Sequence, residues 1–303
     1  MSKDVLQAQA VYVSVILPVY NEIDCLEPEL RRIHGALSTI GRPYEVIVVD
    51  DASTDGSLEV AVRYTKEHAE QPTKIISRKK NRGTGTARRI GTQAATGEII
   101  VWTDVDMTYP NDLIPEMLAV MEQQSADQIV GARHREMGTH KFLRAPAKLV
   151  LRKLAEFLTD ETIPDLNSGL RAFRRDIGTK YLPRLPRGFS CVTTLTMSFL
   201  SDGHTVVYFP IEYKKRVGKS KFDPVSDTAR YLRQIVVMAM SYRPLKIFAP
   251  ISVVVFLIGV LLSVYSLLAF RYVPATAVIA FGTSLQILAI GLLADLVVRL
   301  TKR

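Results

Sequence analysis

Tyr44-Glu45-Val46-Ile47-Val48-Val49-Asp50-Asp51-Ala52-Ser53-Thr54-Asp55-Gly56 reads as a buried strand that runs straight into an acidic turn. Its centre, Val46 to Val49, is β-branched without a break, so both faces of the strand must be covered. The polar residues after it favour turns and helix starts, and a helical pattern runs from Ser57 to Glu67. The same unit recurs on either side. Apolar runs at Val11–Leu17, Thr73–Ser77, Ile99–Asp104 and Asp127–Ala132 alternate with helical patterns at Cys25–Leu37, Gly85–Ala94 and Asn111–Gln123. Near-continuous apolar strands separated by helices predict an α/β fold with a mostly parallel sheet and helices on both faces. In such sheets ligands bind beyond the carboxyl ends of the strands.

Acidic residues fall at those ends. The first run ends in Pro18-Val19-Tyr20-Asn21-Glu22, the second in Asp50-Asp51, and the fourth in Asp104-Val105-Asp106. Carboxylates gathered at neighbouring strand ends repel one another unless they serve a cation or hydrogen-bond donors. In an extended segment, side chains two apart point the same way. Asp104 and Asp106 are therefore expected to hold one divalent metal, Mg²⁺ or Mn²⁺, whose other positions take substrate phosphates.

The end of the chain has a different character. Ile247–Phe270 is 24 residues without a charge, and Val273–Ala294 is 22 more. Each is long enough to cross a hydrocarbon core. Only Arg271-Tyr272 separates them, so they form a hairpin whose ends share one side. Lys214, Lys215, Arg216, Lys219, Lys221 and Lys246 precede it, and Arg299, Lys302 and Arg303 follow it. This bias predicts a two-span membrane protein with its first domain in the cytoplasm. Residues 141–158 carry Lys141, Arg144, Lys148 and Arg152 at helical spacing opposite a leucine-rich face, which predicts a basic amphipathic helix at a membrane surface. A second interfacial helix is expected over 223–244. The expected organisation is a catalytic domain over 1–222, that helix, and a membrane hairpin over 245–303.

The chain has 303 residues and a formal net charge of +9, which favours partners carrying phosphate or anionic lipid. No nucleic-acid partner is expected, and association into a homo-oligomer is left open. Cys25 and Cys191 fit no metal spacing and no disulfide framework, so both are expected as reduced thiols. The polar start, Met1 to Gln9, has no signal-peptide pattern. His34 and His68 are placed on helix surfaces, His134 and His140 in a loop, and none forms a ligand cluster. The glycines of Arg82–Gly91 lack the strand and the later acid of a dinucleotide site, so they are assigned to a tight turn or a close backbone approach. Ser168 has no paired base, which leaves a serine-hydrolase reading without support.

In order, Pro18–Glu22, Val49–Gly56, Arg82–Ala87, Asp104–Asp106 with Tyr109-Pro110, Gly131-Ala132-Arg133, Asp165–Phe173 and Arg216–Lys221 resemble the motifs of a family 2 glycosyltransferase of the nucleotide-sugar-binding A type (GT-A). Within that group the chain resembles the polyprenyl-phosphate glycosyltransferases, typified by dolichol-phosphate mannose synthase, and the terminal hairpin matches too. The resemblance implies an inverting transfer of a hexose from a UDP- or GDP-linked donor to an undecaprenyl or dolichyl phosphate at a membrane. It implies that Pro18, Tyr20, Glu22 and Asp51 contact the nucleoside, with Asp104, Val105 and Asp106 at the metal and diphosphate. Arg133 would face the acceptor phosphate, with Arg144 and Lys148 as weaker candidates, and Arg216 and Lys221 would close over the donor. One position departs: Thr108 stands where dolichol-phosphate mannose synthases often carry a metal-binding Gln. Asp165 is read as orienting the Asn167–Arg171 turn rather than as a base. Two competing readings are a polysaccharide-elongating family 2 enzyme, which usually has more membrane helices and a Gln-x-x-Arg-Trp motif, and a non-catalytic nucleotide-sugar-binding membrane protein.

Overall fold

The computed structural model describes residues 10–133, 149, 152–188, 190–214, 237 and 240–301. The chain falls into two units, residues 1–145 with 161–223 and residues 146–160 with 224–303. The first unit is built from β1 (Val13–Val19), α1 (Ile23–Ser38), β2 (Tyr44–Asp50), α2 (Ser57–Glu67), β3 (Thr73–Ser77), α3 (Thr84–Ala94), β4 (Ile99–Trp102), α4 (Ile114–Gln123), β5 (Gln128–Arg133), β6 (Arg171–Arg174), α5 (Cys191–Ser201) and β7 (Val206–Ile211).

These strands form one sheet of 7 in the order β3-β2-β1-β4-β6-β5-β7. β6 runs antiparallel to β4 and to β5, and every other pairing is parallel. The mostly parallel α/β sheet expected from the sequence is what forms, with β4 at its middle.

The period-two alternation of a strand divides the apolar residues between two cores. Val13, Val15, Leu17, Val46 and Val48 face α1, α2 and α4 through Leu26, Leu30, Ile33, Tyr64 and Met117. Ile16, Ile47, Val49, Ile100 and Trp102 face the other way, onto Ala87 of α3 and Cys191, Leu195 and Phe199 of α5. Coverage on both faces is why these strands read as unbroken apolar runs. β7, at the sheet edge, carries Pro210, which an edge strand tolerates because one side of its backbone has no ladder to complete.

At the end of the sheet where β2 begins, Glu45 is buried at 4% exposure. Its carboxylate accepts from Ser14 Oγ at 2.7 Å, from Thr96 N and Oγ1 at 2.7 Å, and pairs with Lys74 Nζ at 2.6 Å. Burial alone would raise its pKa, but Lys74, Ser14 and Thr96 together hold it down to about 2, against an ordinary 4.5. A depressed folded-state pKa gives stability that is complete above the ordinary value and is lost as pH falls toward 2. The gap corresponds to roughly 3 kcal/mol at neutral pH. Glu45→Gln should therefore lower the unfolding free energy at pH 7 by about 2–3 kcal/mol and flatten its fall between about pH 4.5 and 2. Denaturant titration of the full chain in detergent at a series of pH values checks this; an unchanged acid slope would show that Glu45 does not carry it.

In the second unit, residues 152–159 are helical. The rest of the basic amphipathic segment expected over 141–158 lies outside the described residues, apart from a helical Leu149. So does most of 223–244, of which 237 and 240–242 are helical. Asp160 receives Arg243 Nη1 at 3.0 Å and Lys246 Nζ at 2.5 Å. Two long helices follow, α6 (Pro244–Phe270) and α7 (Ala275–Thr301). Both are long and apolar enough to cross a membrane, and only 11% and 17% of their most apolar windows is buried inside the protein. That exposure is the opposite of a soluble core helix. Small residues bring the helices together: a Cβ on Gly259 would lie 2.9 Å from Phe281, and one on Gly291 would lie 2.6 Å from Phe248. Between them, Ser252 Oγ donates to Ser284 O at 2.9 Å and Ser284 Oγ to Ser252 O at 3.0 Å, which satisfies both hydroxyls inside an apolar pair.

Candidate active site

The acidic turns after β1, β2 and β4 converge at the carboxyl ends of three adjacent strands. After β1, Asn21 takes a positive φ of 56° and locks against the β2 turn. Its amide donates to Ser53 Oγ at 3.1 Å, and its Oδ1 accepts from Thr54 N at 2.8 Å. Glu22 N donates to Ser57 Oγ at 2.9 Å and Ile23 N to Asp55 Oδ2 at 3.1 Å, so the two turns share one hydrogen-bond network. Tyr20 stands 37% exposed beside it, while Pro18 and Glu22 are half-buried.

Asp51 is 2% exposed. Its carboxylate accepts from Arg82 N at 3.0 Å, Gly83 N at 2.7 Å and Arg78 Nη1 at 2.5 Å. Its first role in this structure is thus to pin the loop that opens α3. That loop needs its glycines. Gly83 has φ +88°, and a Cβ on Gly85 would lie 2.3 Å from the carbonyl of Pro186. The close backbone approach expected for the Arg82–Gly91 stretch is real.

Beyond β4 the backbone does not stay extended. It bends, and Met107 adopts φ 59°. Strand periodicity therefore does not orient Asp104 and Asp106. Each is placed separately by its own partner. Arg88 Nη2 donates to Asp104 Oδ1 at 2.7 Å. Thr108 Oγ1 donates to Asp106 Oδ1 at 2.5 Å, and Thr108 N approaches the same oxygen at 3.3 Å. Val105, expected among the substrate contacts, turns its side chain into the core at 2% exposure, so any contact it makes there belongs to its backbone.

Arg133 ends β5. Its Nε donates to Asp165 Oδ2 at 2.6 Å and its Nη2 to Oδ1 at 3.0 Å. The bidentate edge expected for a phosphate lies on Asp165 instead. Asp165 Oδ1 also accepts from Asn167 N at 3.0 Å, which is the orienting contact expected of it. Burial pushes the Asp165 pKa up, but the Arg133 hydrogen bonds and charge, with the amides of Asn167 and Arg133, outweigh it and hold the group below its ordinary value. The Arg133 guanidinium sits 5.2 Å from the Tyr213 ring centroid, and Tyr213 packs on Tyr109 at 5.0 Å. Arg216 and Lys221 lie outside the described residues, as do Arg144 and Lys148.

Residues 14–182, more than half of the chain, match the model of "Glycosyl transferase family 2". The chain belongs to that family. Residues 243–300 match a second model, "GtrB C-terminal hairpin", over α6 and α7. Similar curated proteins are undecaprenyl-phosphate 4-deoxy-4-formamido-L-arabinose transferases. One, from Klebsiella pneumoniae subsp. pneumoniae, is 31% identical over 165 residues, 54% of this chain and 49% of its own length. Another, from Pseudomonas savastanoi pv. phaseolicola, is 27% identical over 250 residues, 82% of this chain and 72% of its own. The chain thus spans about half the length of the first relative and more of the second. Among solved structures, glucosyl-3-phosphoglycerate synthase from Mycobacterium tuberculosis, in complex with Mn²⁺, UDP and glucosyl-3-phosphoglycerate, superposes with a TM-score of 0.57 at 18% identity, over 77% of this chain and 80% of that one. That likeness establishes the GT-A fold.

In this family 2 chain, the donor set suits a hard divalent cation. Asp104 and Asp106 supply only carboxylate oxygens, and no group of three or more His, Cys, Asp and Glu capable of holding a metal occurs among the described residues. Two protein ligands fit an ion that completes its shell from a diphosphate and water. A bare Gly169 makes room beside them, since a Cβ there would lie 2.6 Å from Asp104 Oδ2. Thr108, at the position where the sequence departs from the resembled family, donates its hydroxyl to Asp106.

Several residues of the site were not anticipated. Arg88 is 2% exposed on α3, and Arg171 is fully buried on β6. Arg171 donates to Val192 O at 2.6 Å, to Thr196 Oγ1 at 2.7 Å and to Ser168 O, and so shapes the turn around Gly169. Burial, with the like charge of Arg88, pushes its pKa down to about 10. A signal for Arg88 existed: it falls at three- and four-residue spacing with Gly85, Gly91 and Thr92 on the buried side of α3, and a charge on such a stripe is buried. His34, expected on a surface, is 2% exposed and bonds Thr73 Oγ1 at 2.9 Å and Tyr44 Oη at 3.2 Å. Burial takes its pKa down to about 4, so it is a neutral core residue.

Proposed function

We propose that this family 2 glycosyltransferase moves a hexose from a UDP- or GDP-linked donor to a polyprenyl phosphate, with inversion, at the cytoplasmic face of a membrane. The observation that carries the acceptor assignment is the Arg133–Asp165 pair. Asp165, the carboxylate at the position of a candidate base, accepts a bidentate guanidinium with both oxygens. A hydroxyl acceptor must lose a proton as it attacks and needs a positioned base. A phosphate monoester has a second pKa of about 6 and is already largely dianionic near neutral pH. One of its oxygens can attack the anomeric carbon from the side opposite the leaving nucleotide. The protein's part is alignment and positive charge.

The turns at Tyr20–Glu22 and Asp51–Ser53 receive the nucleoside, and Arg133, whose bidentate edge Asp165 holds, contributes its charge rather than that edge to the acceptor phosphate. Asp104 and Asp106 would hold Mg²⁺ or Mn²⁺, which when bound supplies positive charge against the departing diphosphate. The relatives named for undecaprenyl phosphate and the matched terminal hairpin support a lipid acceptor. The lysines and arginines flanking the hairpin support a cytoplasmic catalytic domain.

The test is a panel of radiolabelled UDP- and GDP-sugars incubated with membranes containing the full chain, followed by organic extraction. At least one donor should label the lipid fraction, and the label should be released by mild acid as free sugar. Label confined to polymer would favour the polysaccharide-elongating reading. Donor binding without any transfer would favour the non-catalytic one.

A further inference from the structure

Arg88 lies on the inward stripe of α3, yet it carries a full charge into the core at 2% exposure. Its Nη2 donates to Asp104 Oδ1 at 2.7 Å. Its Nη1 lies 3.8 Å from Cys191 Sγ, its guanidinium is 5.6 Å from the Trp102 ring centroid, and its Nε has no hydrogen-bond partner among the described residues. Burying an arginine with its donors incompletely satisfied opposes folding. Stability alone therefore does not account for it.

Asp104 is confined from the other side as well. Gly169 sits against the carboxylate, and the missing Cβ would fall 2.6 Å from Oδ2, 3.1 Å from Arg88 Nη2 and 3.1 Å from Tyr109 Oη. Tyr109 is itself fixed, accepting Gly169 N at 2.6 Å. Asp104 thus has one oxygen tied to a buried cation and the other seated over a bare α-carbon, with 29% of the side chain still exposed.

We propose that Arg88 is a positioning residue that, together with the gap at Gly169, restricts Asp104 to a single available oxygen and so sets the cation preference of the site. This rests on the glycosyltransferase reading above. A carboxylate whose Oδ1 is held by a guanidinium cannot turn both oxygens to one ion. Ca²⁺ accepts bidentate carboxylates and 6–8 oxygens, whereas Mg²⁺ and ions of similar size work with few, singly bound carboxylates and keep phosphate and water as their other ligands. The clamp therefore favours Mg²⁺ or Mn²⁺ over Ca²⁺ for a nucleoside-diphosphate complex.

The experiment measures Mn²⁺ binding to the full chain in detergent with saturating UDP or GDP, by electron paramagnetic resonance, and its displacement by Ca²⁺. Arg88→Gln, Arg88→Lys and Gly169→Ala are compared with the unaltered chain. Arg88→Gln should weaken Mn²⁺ at least tenfold and narrow the Mn²⁺/Ca²⁺ ratio, and Arg88→Lys should recover part of both. Gly169→Ala leaves Arg88 in place and meets only side-chain ends, so it tests the same clamp without removing a buried charge; it too should narrow the ratio. Thermal unfolding confirms which variants are folded. If folded Gly169→Ala and Arg88 variants keep the unaltered affinity and ratio, the inference is overturned while the glycosyltransferase reading stands. If the unaltered chain binds no Mn²⁺ with either nucleotide, the inference falls together with the metal-dependent part of that reading.

Discussion

Asp106→Ala should lower sugar transfer at least a hundredfold. The side chain is 8% exposed and accepts from the buried Thr108 hydroxyl, so thermal unfolding is measured beside transfer to separate lost charge from lost folding. What it removes is negative charge placed beside the carboxyl ends of β1, β2 and β4, where a cation would meet the donor diphosphate. Charge stabilisation of that kind contributes several kcal/mol, roughly 10²–10³ in rate. Excess chelator should give the same loss in the unaltered chain, and Mn²⁺ or Mg²⁺ should restore it there but not in Asp106→Ala. Radiolabel transfer to extracted lipid measures both. Full activity in chelator would sink the metal-dependent reading.

Arg133→Ala should raise the acceptor KM at least tenfold, or abolish transfer, while donor binding stays within a few-fold. It removes the cation assigned to the phosphate and also leaves Asp165 half of a broken buried pair, an arrangement that typically costs about 3–5 kcal/mol. Stability must therefore be measured beside activity. Asp165→Asn separates the two roles. It keeps the shape and the contact with Asn167 but cannot act as a base. Because Asp165 is held below its ordinary pKa, it stays anionic through the neutral range, and its pairing weakens only as pH falls below the usual carboxylate range. The acidic limb of kcat/KM should instead follow the second ionisation of the acceptor phosphate near pH 6 and should persist in Asp165→Asn. Transfer to a short soluble prenyl phosphate across pH makes the comparison. If Asp165→Asn removes that limb while donor binding is intact, the base-free mechanism is wrong.

Much of this was legible in the sequence because it depends on local pattern. The runs at Tyr44–Asp50 and Thr73–Ser77 become strands with those same limits, and the Ser57–Glu67 helix is also as expected. Buried parallel strands must be apolar on both faces, and helix starts need particular side chains, so both leave marks along the chain. The hairpin was legible for a similar reason: apolar length is set by the thickness of a hydrocarbon layer. β6 was not legible, since Arg171-Ala172-Phe173-Arg174 is short and charged at both ends. It is a strand only because β4 and β5 lie on either side of it.

Within the site the sequence determined which residue types gather at the strand ends, but not how they are held. Periodicity placed Asp104 and Asp106 on one face. The fold instead bends the chain at Met107 and gives each carboxylate a separate partner, Arg88 from α3 and Thr108 from the same turn. The pairing of Arg133 with Asp165 spans 32 residues of sequence, and that of Arg88 with Asp104 joins a helix to a strand end. Hydrogen bonds and ion pairs act over about 3 Å, and separation along the chain carries no such information. Sequence alone thus determined the sheet, the acidic strand ends and the apolar hairpin. Only the packing of α3, β5 and the Asp165–Arg171 turn against those ends decided which charges are paired, which glycines are obligatory, and how Asp104 is aimed.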